Sequence, residues 1–247
     1  MDTLGPLYFC LVFKELLESL ESELVLGYLD DVAVGDTAAI VLKDFIVLEK
    51  TAEHLGLEVN RSKCEVVGHT DKTREMFNSQ NVTLPESSLS SVVFLGSPML
   101  AGSHLNSMLA AKEEELQRLT KRLELMPSHD SLFLLRNVLA APRLVHLLRT
   151  APCWDSPELP MYDAVLRNSL SATLNIDVNR WTQASLPVRW GGLGVRGITL
   201  LAPSAFLASA ASTMELTSAL LPMRLRMIED SGIASAMSTW TRLAKSL

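Results

Sequence analysis

Two adjacent aspartates between short apolar runs constrain the fold of this chain more than any other feature. The runs are Leu24–Tyr28 and residues 32–34, and the acidic pair is Asp30-Asp31. Two β-prone runs separated by a short polar step are typical of a β-hairpin. Apolar strands would draw the turn toward the core, where carboxylates without a partner are heavily penalised. The pattern therefore predicts a hairpin whose acidic tip needs a partner or solvent.

A divalent cation would relieve the cost of bringing two carboxylates together. Mg²⁺ prefers carboxylate oxygens and keeps coordination positions open for substrate phosphates. In phosphoryl and nucleotidyl transfer, two such ions about 3.5–4 Å apart activate the attacking oxygen and stabilise the leaving one. The alternative is an ordinary solvated turn, because aspartate is also a favoured turn residue. The acidic pair alone leaves both interpretations open.

The segments around the hairpin predict an α+β fold. A helix is expected over residues 7–20, with an apolar stripe of Leu7, Leu11, Phe13, Leu17 and Leu20. A second helix is capped by Asp36 and ended by Gly56. Short strands are expected at residues 57–59, 64–67 and 92–95, which gives an antiparallel sheet with helices on one face. After residue 104 the pattern becomes helical, beginning with residues 105–126, whose apolar stripe is Leu105, Leu109, Leu116, Leu119 and Leu123. Residues 198–223 predict a buried helix pair.

Four segments resemble, in the same order, motifs of reverse transcriptases from non-LTR retrotransposons. Residues 2–7 resemble motif B, and Tyr28-Leu29-Asp30-Asp31 resembles the YxDD box of motif C. Residues 55–64 resemble motif D with its lysine at Lys63, and residues 94–98 resemble the turn of motif E. The resemblance covers residues 2–98. Four motifs in order are far more specific than any one of them.

The resemblance implies a fold and an activity. Residues 1–102 would form part of a right-hand-polymerase palm, and residues 103–247 a helical thumb with a C-terminal helical extension. The activity would be RNA-directed DNA polymerisation with Mg²⁺ or Mn²⁺, acting on an RNA template and a DNA primer. Cations of the thumb helix would contact the nucleic-acid backbone, or else form a solvated helix face; these are Lys112, Arg118, Lys121 and Arg122.

The resemblance also implies a role for each matched residue. Asp30 would bind the catalytic metal, and Asp31 would support it or bind a second ion. Tyr28 would pack near the primer end, and Lys63 would lie near the leaving pyrophosphate, unless it is only a solvated turn lysine. The remaining matches would be structural: Gly5 and Pro6 shape the helix entry that contacts template and nucleotide, and Gly96 allows the tight turn that holds the primer.

Departures from the family pattern set limits on the expected activity. Thr3 stands where motif B has proline, and no segment matches motif A, whose aspartate shares the metals in this family. The fingers are unmatched too. We therefore expect weak metal binding and no polymerisation by the isolated chain. The alternative is a non-catalytic retroelement relic that acts as a nucleic-acid or protein interaction module. An unpaired sheet edge would favour self-association.

Charge and cysteine content bear on partners and location. The net charge is −6, but residues 1–100 hold 7 basic against 16 acidic residues, whereas residues 101–247 hold 15 against 12. Nucleic-acid contacts are therefore expected in the second part. Three widely spaced cysteines are typical of free thiols inside the cell, in nucleus or cytoplasm, and no secretion or membrane span is predicted. Residues 185–196 are similar to a segment beyond the thumb of non-LTR proteins, and we interpret them as a glycine-rich turn. We interpret Trp181 and Trp190 as core or interhelical anchors in preference to the alternative, base-stacking platforms.

Overall fold

The computed structural model describes residues 4–68, 70–178 and 180–245. The protein is 63% helical and carries small two-stranded sheets, in agreement with the predicted α+β class. The chain divides into two compact units. The first comprises residues 1–88 and 215–228, and the second comprises residues 89–214 and 229–247. The predicted palm boundary at residue 102 concerns the family domains and stays a prediction.

Within its described residues, the first unit is built from three helices, two pairs of strands and the end of a helix that begins in the second unit. Its elements are α1 (Gly5–Glu18), β1 (Leu24–Tyr28), β2 (Asp31–Gly35), α2 (Ala38–His54), a 3₁₀ turn (Arg61–Lys63), β3 (Val66–Val67), α3 (Asp71–Ser79) and β4 (Glu86–Ser87). β1 and β2 pair antiparallel, whereas β3 and β4 pair parallel. The described strands therefore form separate pairs instead of the single antiparallel sheet that we predicted.

In the first unit the predicted end of α2 is confirmed, whereas its predicted cap and one predicted strand are wrong. α2 ends in a Schellman motif: Gly56, at φ +75°, donates its N–H to Glu53, and Leu57 donates to Ala52. The predicted cap at Asp36 is wrong, because Thr37 occupies the N-cap position. The strand predicted at residues 57–59 is also wrong. This segment is irregular and packs Leu57 against the α1–α2 cluster without a strand partner.

The first unit contains two small apolar clusters. One joins α1 to α2 through buried Phe13, Leu16 and Ala52. The other joins α2 to α3 and the segment after it, through buried Leu42, Phe77 and Val82. The predicted stripe of α1 is only partly buried, since Leu7 and Leu11 lie more than half exposed.

The second unit is mainly helical. Its elements are β5 (Val93–Phe94), β6 (Ser97–Pro98), α4 (Ser103–Leu123), α5 (Ser128–Leu134), a π-helical segment (Leu135–Leu139), α6 (Ala141–Thr150), α7 (Glu158–Leu174), α8 (Trp181–Ser185), a 3₁₀ turn (Val188–Trp190), α9 (Ile198–Leu220), whose last residues belong to the first unit, and α10 (Ser231–Ala244). One continuous core contains the predicted stripe of α4, with Leu105, Leu109, Leu116 and Leu123 buried. The predicted helix pair at residues 198–223 is instead the single helix α9.

The π-helical segment lies between α5 and α6. Ala140 donates its N–H to the carbonyl of Leu135, five residues back, which is the wide π pattern. Pro142 has no N–H to donate to Val138, so the regular α-helical ladder is interrupted here. Among the described residues, Ser128–Thr150 is the one stretch long and apolar enough to cross a bilayer. Its leucines, including Leu148, contribute to the core, as those of a buried helix do.

Candidate functional site

The acidic pair lies at the tip of the β1–β2 hairpin. Tyr28 pairs with Asp31, so Leu29 and Asp30 form a two-residue connection, and the predicted hairpin is confirmed. Leu29 has φ +54°, a left-handed conformation that costs about 1–2 kcal/mol for a residue with a Cβ. A bulky residue in this conformation is unusual and persists only where its surroundings hold it.

Both carboxylates are available at this tip. Asp30 and Asp31 are exposed, and within the described part of the chain neither side chain forms a hydrogen bond or an ion pair. Tyr28 is 59% exposed beside them. The hairpin thus presents two adjacent carboxylates and a phenol ring to solvent, a surface that could receive a cation.

The body of the hairpin is held by the helices of the same unit. Val32 packs against the α1–α2 cluster. A Cβ on Gly27 would overlap the end of the Leu17 side chain, so β1 approaches α1 closely where this glycine lies. At the base of the hairpin, the carboxylate of Asp36 accepts hydrogen bonds from the backbone N–H groups of Glu23 (2.9 Å) and Thr37 (2.6 Å). These bonds lower the pKa of Asp36.

A buried carboxylate fixes the loop that leads into β1. Asp44 of α2 is only 2% exposed and accepts hydrogen bonds from the backbone N–H groups of Glu21 (3.0 Å) and Ser22 (2.7 Å). Burial raises the pKa of Asp44, but these hydrogen bonds outweigh it, and the pKa is lowered. Sequence reasoning missed this residue. The signal was a charged side chain among the apolar residues of α2, between Val41 and Phe45.

Lys63 lies in the 3₁₀ turn after the irregular segment, and it is exposed. The turn is anchored by its neighbour Arg61, whose guanidinium donates two hydrogen bonds to the carboxylate of Glu49 (2.5 and 2.6 Å) and one to the carbonyl of Asn81 (3.0 Å). No described hydrogen bond or ion pair joins Lys63 to Asp30 or Asp31. Its role at the leaving group stays a prediction.

The residues matched to motifs B and E lie at a helix start and in a tight turn, and their roles toward template, nucleotide and primer stay predictions. Gly5 begins α1, and Pro6 follows in its first turn, where a missing N–H costs nothing. Asp2 and Thr3, which carry the rest of the motif B resemblance, lie outside the described residues. In the second unit, Gly96 has φ +77° in the turn between β5 and β6. That turn is bound to α6, because His146 contacts the carbonyl of Leu95 (3.0 Å).

The four cations of α4 differ in their surroundings. Lys112 is half-buried and forms an ion pair with Glu115 (3.6 Å). Arg118, Lys121 and Arg122 are exposed, and none of them has a carboxylate partner within the residues that the structure describes. Because residues three and four apart share a helix face, Arg118 lies beside Lys121 and Arg122. These three form a small basic face near the C-terminus of α4.

The donor set at the hairpin tip does not fit a complete two-metal centre. Two carboxylates have the right chemistry for Mg²⁺, but paired ions need further protein oxygens to hold them. Across residues 4–68, 70–178 and 180–245, no group of three or more histidine, cysteine, aspartate or glutamate side chains is placed to hold a metal ion. Asp30 and Asp31 could therefore bind one cation weakly, with the remaining ligands from outside the described residues.

The structure overturns the interpretation of Trp190 as a core anchor. Its side chain is 64% exposed at the end of the 3₁₀ turn, next to the guanidinium of Arg189. Trp181 does pack partly buried against the core of the second unit. The glycines that follow Trp190 did not distinguish the exposed tryptophan from the packed one, because glycine indicates a turn without showing which side chain faces solvent.

Comparison of the chain with protein-family models, with curated proteins and with solved structures gives no match.

Proposed function

We propose that this chain supplies the motif C carboxylates to an RNA-directed DNA polymerase. The observation that carries the proposal is the two-residue β1–β2 connection that presents Asp30 and Asp31, exposed and unbonded, beside Tyr28. An ordinary solvated turn also explains exposed aspartates. The left-handed Leu29 fits either interpretation, because a two-residue hairpin connection requires a positive φ at its first residue. What favours the proposal is that four segments resemble reverse-transcriptase motifs in the same order.

The proposed centre is incomplete in the described residues. Asp30 and Asp31 would contribute negative charge at one side of a cation site, and a further carboxylate must come from another segment or another polypeptide. The chain by itself is therefore expected to bind Mg²⁺ or Mn²⁺ weakly and not to extend a primer. RNA template and DNA primer are the proposed substrates once the centre is completed.

The first experiment tests the cation site without requiring activity. Mn²⁺ is titrated into isotope-labelled protein, and paramagnetic broadening of backbone amides is followed by NMR. We expect broadening to start at residues 28–32 and to be lost in Asp30→Asn. Lys63→Ala is the matched control, since it also removes one exposed charge from the same unit. Equal effects of the two variants would remove the assignment of the site.

The second experiment tests catalysis by complementation. The chain is mixed with a separately expressed reverse-transcriptase fragment that carries a motif A aspartate, and primer extension on an RNA template is measured with Mg²⁺. We expect activity only in the mixture. Asp30→Asn should lower the rate about a hundredfold, equivalent to about 3 kcal/mol of lost transition-state stabilisation. Lack of extension with a fragment that folds and associates with the chain would contradict the proposal.

A second candidate function is a non-catalytic interaction module, and the open hairpin favours it. Within the described residues β1 and β2 pair only with each other, so each has an edge without a neighbouring strand. Such edges recruit additional strands, including those of other copies. We expect concentration-dependent self-association by light scattering. A chain that stays monomeric at high concentration would argue against this candidate.

A further inference from the structure

Trp190 is exposed on a loop of the second unit, residues 186–194, that backbone hydrogen bonds hold in place. Three backbone hydrogen bonds tie the loop together: Leu193 donates to Ala184 (2.9 Å), Gly194 to Leu186 (2.9 Å) and Gly192 to Pro187 (3.3 Å). A Cβ on Gly192 would collide with the carbonyl group of Leu186, so only glycine allows this close approach. The backbone that presents the indole is therefore fixed before any ligand arrives, which lowers the entropy cost of binding.

Four arginines lie on this loop or next to it. The guanidinium of Arg189 lies 4.9 Å from the centre of the Trp190 ring. Arg180 lines a shallow groove together with Gly191, the residue that follows the indole. Arg136, on the π-helical segment, packs against Gly194. A Cβ added to this glycine would lie only 2.8 Å from the Cδ of Arg136. Arg196 is exposed two residues beyond that glycine.

The positive charge of this surface is not neutralised within the described residues. Arg136, Arg180, Arg189 and Arg196 have no ion-pair partner there. Two carboxylates lie near. Asp163 is engaged by the backbone N–H groups of Ile198 (2.6 Å) and Thr199 (3.0 Å), while Asp177 lines the groove. Four arginines against these two acids leave a net positive surface around an exposed indole, in a chain whose net charge is −6.

We propose that Trp190 and these arginines bind single-stranded nucleic acid, with the indole stacking on a base and the arginines contacting phosphates. Base–aromatic stacking combined with a basic groove is the general chemistry of single-strand binding. A duplex fits less well, because its bases are already stacked and unavailable to a side chain. An acidic polypeptide would use the arginines but would not need the indole. This site is separate from the hairpin tip, and it holds whether or not the chain takes part in polymerisation.

The test is fluorescence anisotropy of the full chain with labelled oligouridylate and oligothymidylate of about twelve nucleotides, within the range that one single-strand module covers. The buffer contains EDTA, so metal binding at the hairpin cannot contribute, and failure of the polymerase proposal would leave the result unchanged. Trp190→Ala should weaken binding about 10-fold, whereas Trp190→Phe, which keeps a stacking ring, should weaken it less than about 3-fold.

Trp240→Ala is the matched control. Trp240 is 45% exposed in the same unit, on α10, outside the arginine surface, and its loss should leave binding unchanged. Arg189→Gln should reduce the slope of log K against log[salt] by about 0.7, the value for one phosphate contact with a single strand. Circular dichroism and thermal melting establish that each variant stays folded.

Three results would overturn the proposal. The first is no binding of either oligonucleotide at low salt. The second is equal weakening by Trp190→Ala and Trp240→Ala. The third is binding insensitive to Trp190→Ala that polyglutamate displaces as readily as the oligonucleotide, which would identify the surface as an acidic-peptide site.

Discussion

The two units are stabilised in different ways. The second has one continuous core that runs through α4, α6, α7 and the start of α9, whereas the described part of the first has two clusters of three buried residues each. The first unit buries fewer apolar residues and is also held by three polar contacts, which we call clamps. Asp44 accepts hydrogen bonds from the loop before β1, Arg61 pairs with Glu49, and Arg74 pairs with Glu86. A hairpin built on clamps should be easier to open than one built on a core.

The largest effect is expected from removing core volume in the second unit. Leu148 is fully buried, so Leu148→Ala should lower the free energy of unfolding by about 2–5 kcal/mol. Leu125 is 88% exposed, and Leu125→Ala should change it by less than about 0.5 kcal/mol. Urea denaturation followed by circular dichroism measures both. Similar values for the two variants would refute the assignment of the core.

A smaller effect is expected from the clamp at Asp44. Asp44→Asn removes a charged acceptor from two backbone N–H groups and should cost about 1–3 kcal/mol. The loss should be local: amide hydrogen exchange should accelerate in residues 19–35 and stay unchanged in α7. Glu75→Gln is the control, because Glu75 is exposed on α3 of the same unit. If exchange accelerated in α7 as much as in residues 19–35, the hairpin would not open more easily than the core of the second unit.

The same clamp predicts a pH dependence. Hydrogen bonds outweigh burial and lower the pKa of Asp44 in the folded protein, so the unfolded chain binds a proton more readily. The contribution of Asp44 is therefore fully present above the unfolded pKa of about 3.9 and is lost as the pH falls through the folded value. The protection factors of the hairpin amides, which correct for the intrinsic pH dependence of exchange, should fall below about pH 4 in the wild type. In Asp44→Asn this acid-dependent loss of protection should be smaller.

The smallest effect concerns the two hairpin turns, one in each unit. Leu29 and Leu95 both have left-handed backbones, at φ +54° and +47°. Replacement by glycine removes the Cβ strain but adds chain entropy, for a net gain of about 0.5–1 kcal/mol. In Leu29→Gly the gain should slow exchange at β1–β2. In Leu95→Gly the slowing of exchange should be smaller, because His146 of α6 already contacts this turn. Faster exchange in Leu29→Gly would show that the leucine side chain itself holds the tip.

The sequence predicted the elements whose signals are local. The β1–β2 hairpin was predicted from two apolar runs, and the end of α2 from the glycine at position 56. Both are present. The strand at residues 57–59 was wrong because strand formation needs a partner, which residue pattern does not reveal. Helix α3 was missed because its signal is mainly the capping box at Thr70, with little apolar periodicity. The metal and nucleotide roles rest on resemblance and stay predictions.

The extra residue in the π-helical segment determines which face α6 turns toward the core. An α-helix turns about 100° per residue, so deleting one residue within Leu135–Leu139 would rotate α6 relative to α5 by about that angle, although Pro142 would still interrupt the helical hydrogen bonds. Leu144, Leu147 and Leu148 would then swing away from the interior, and Arg136 would lose its place against Gly194. Length at this position is therefore less tolerant of change than residue identity.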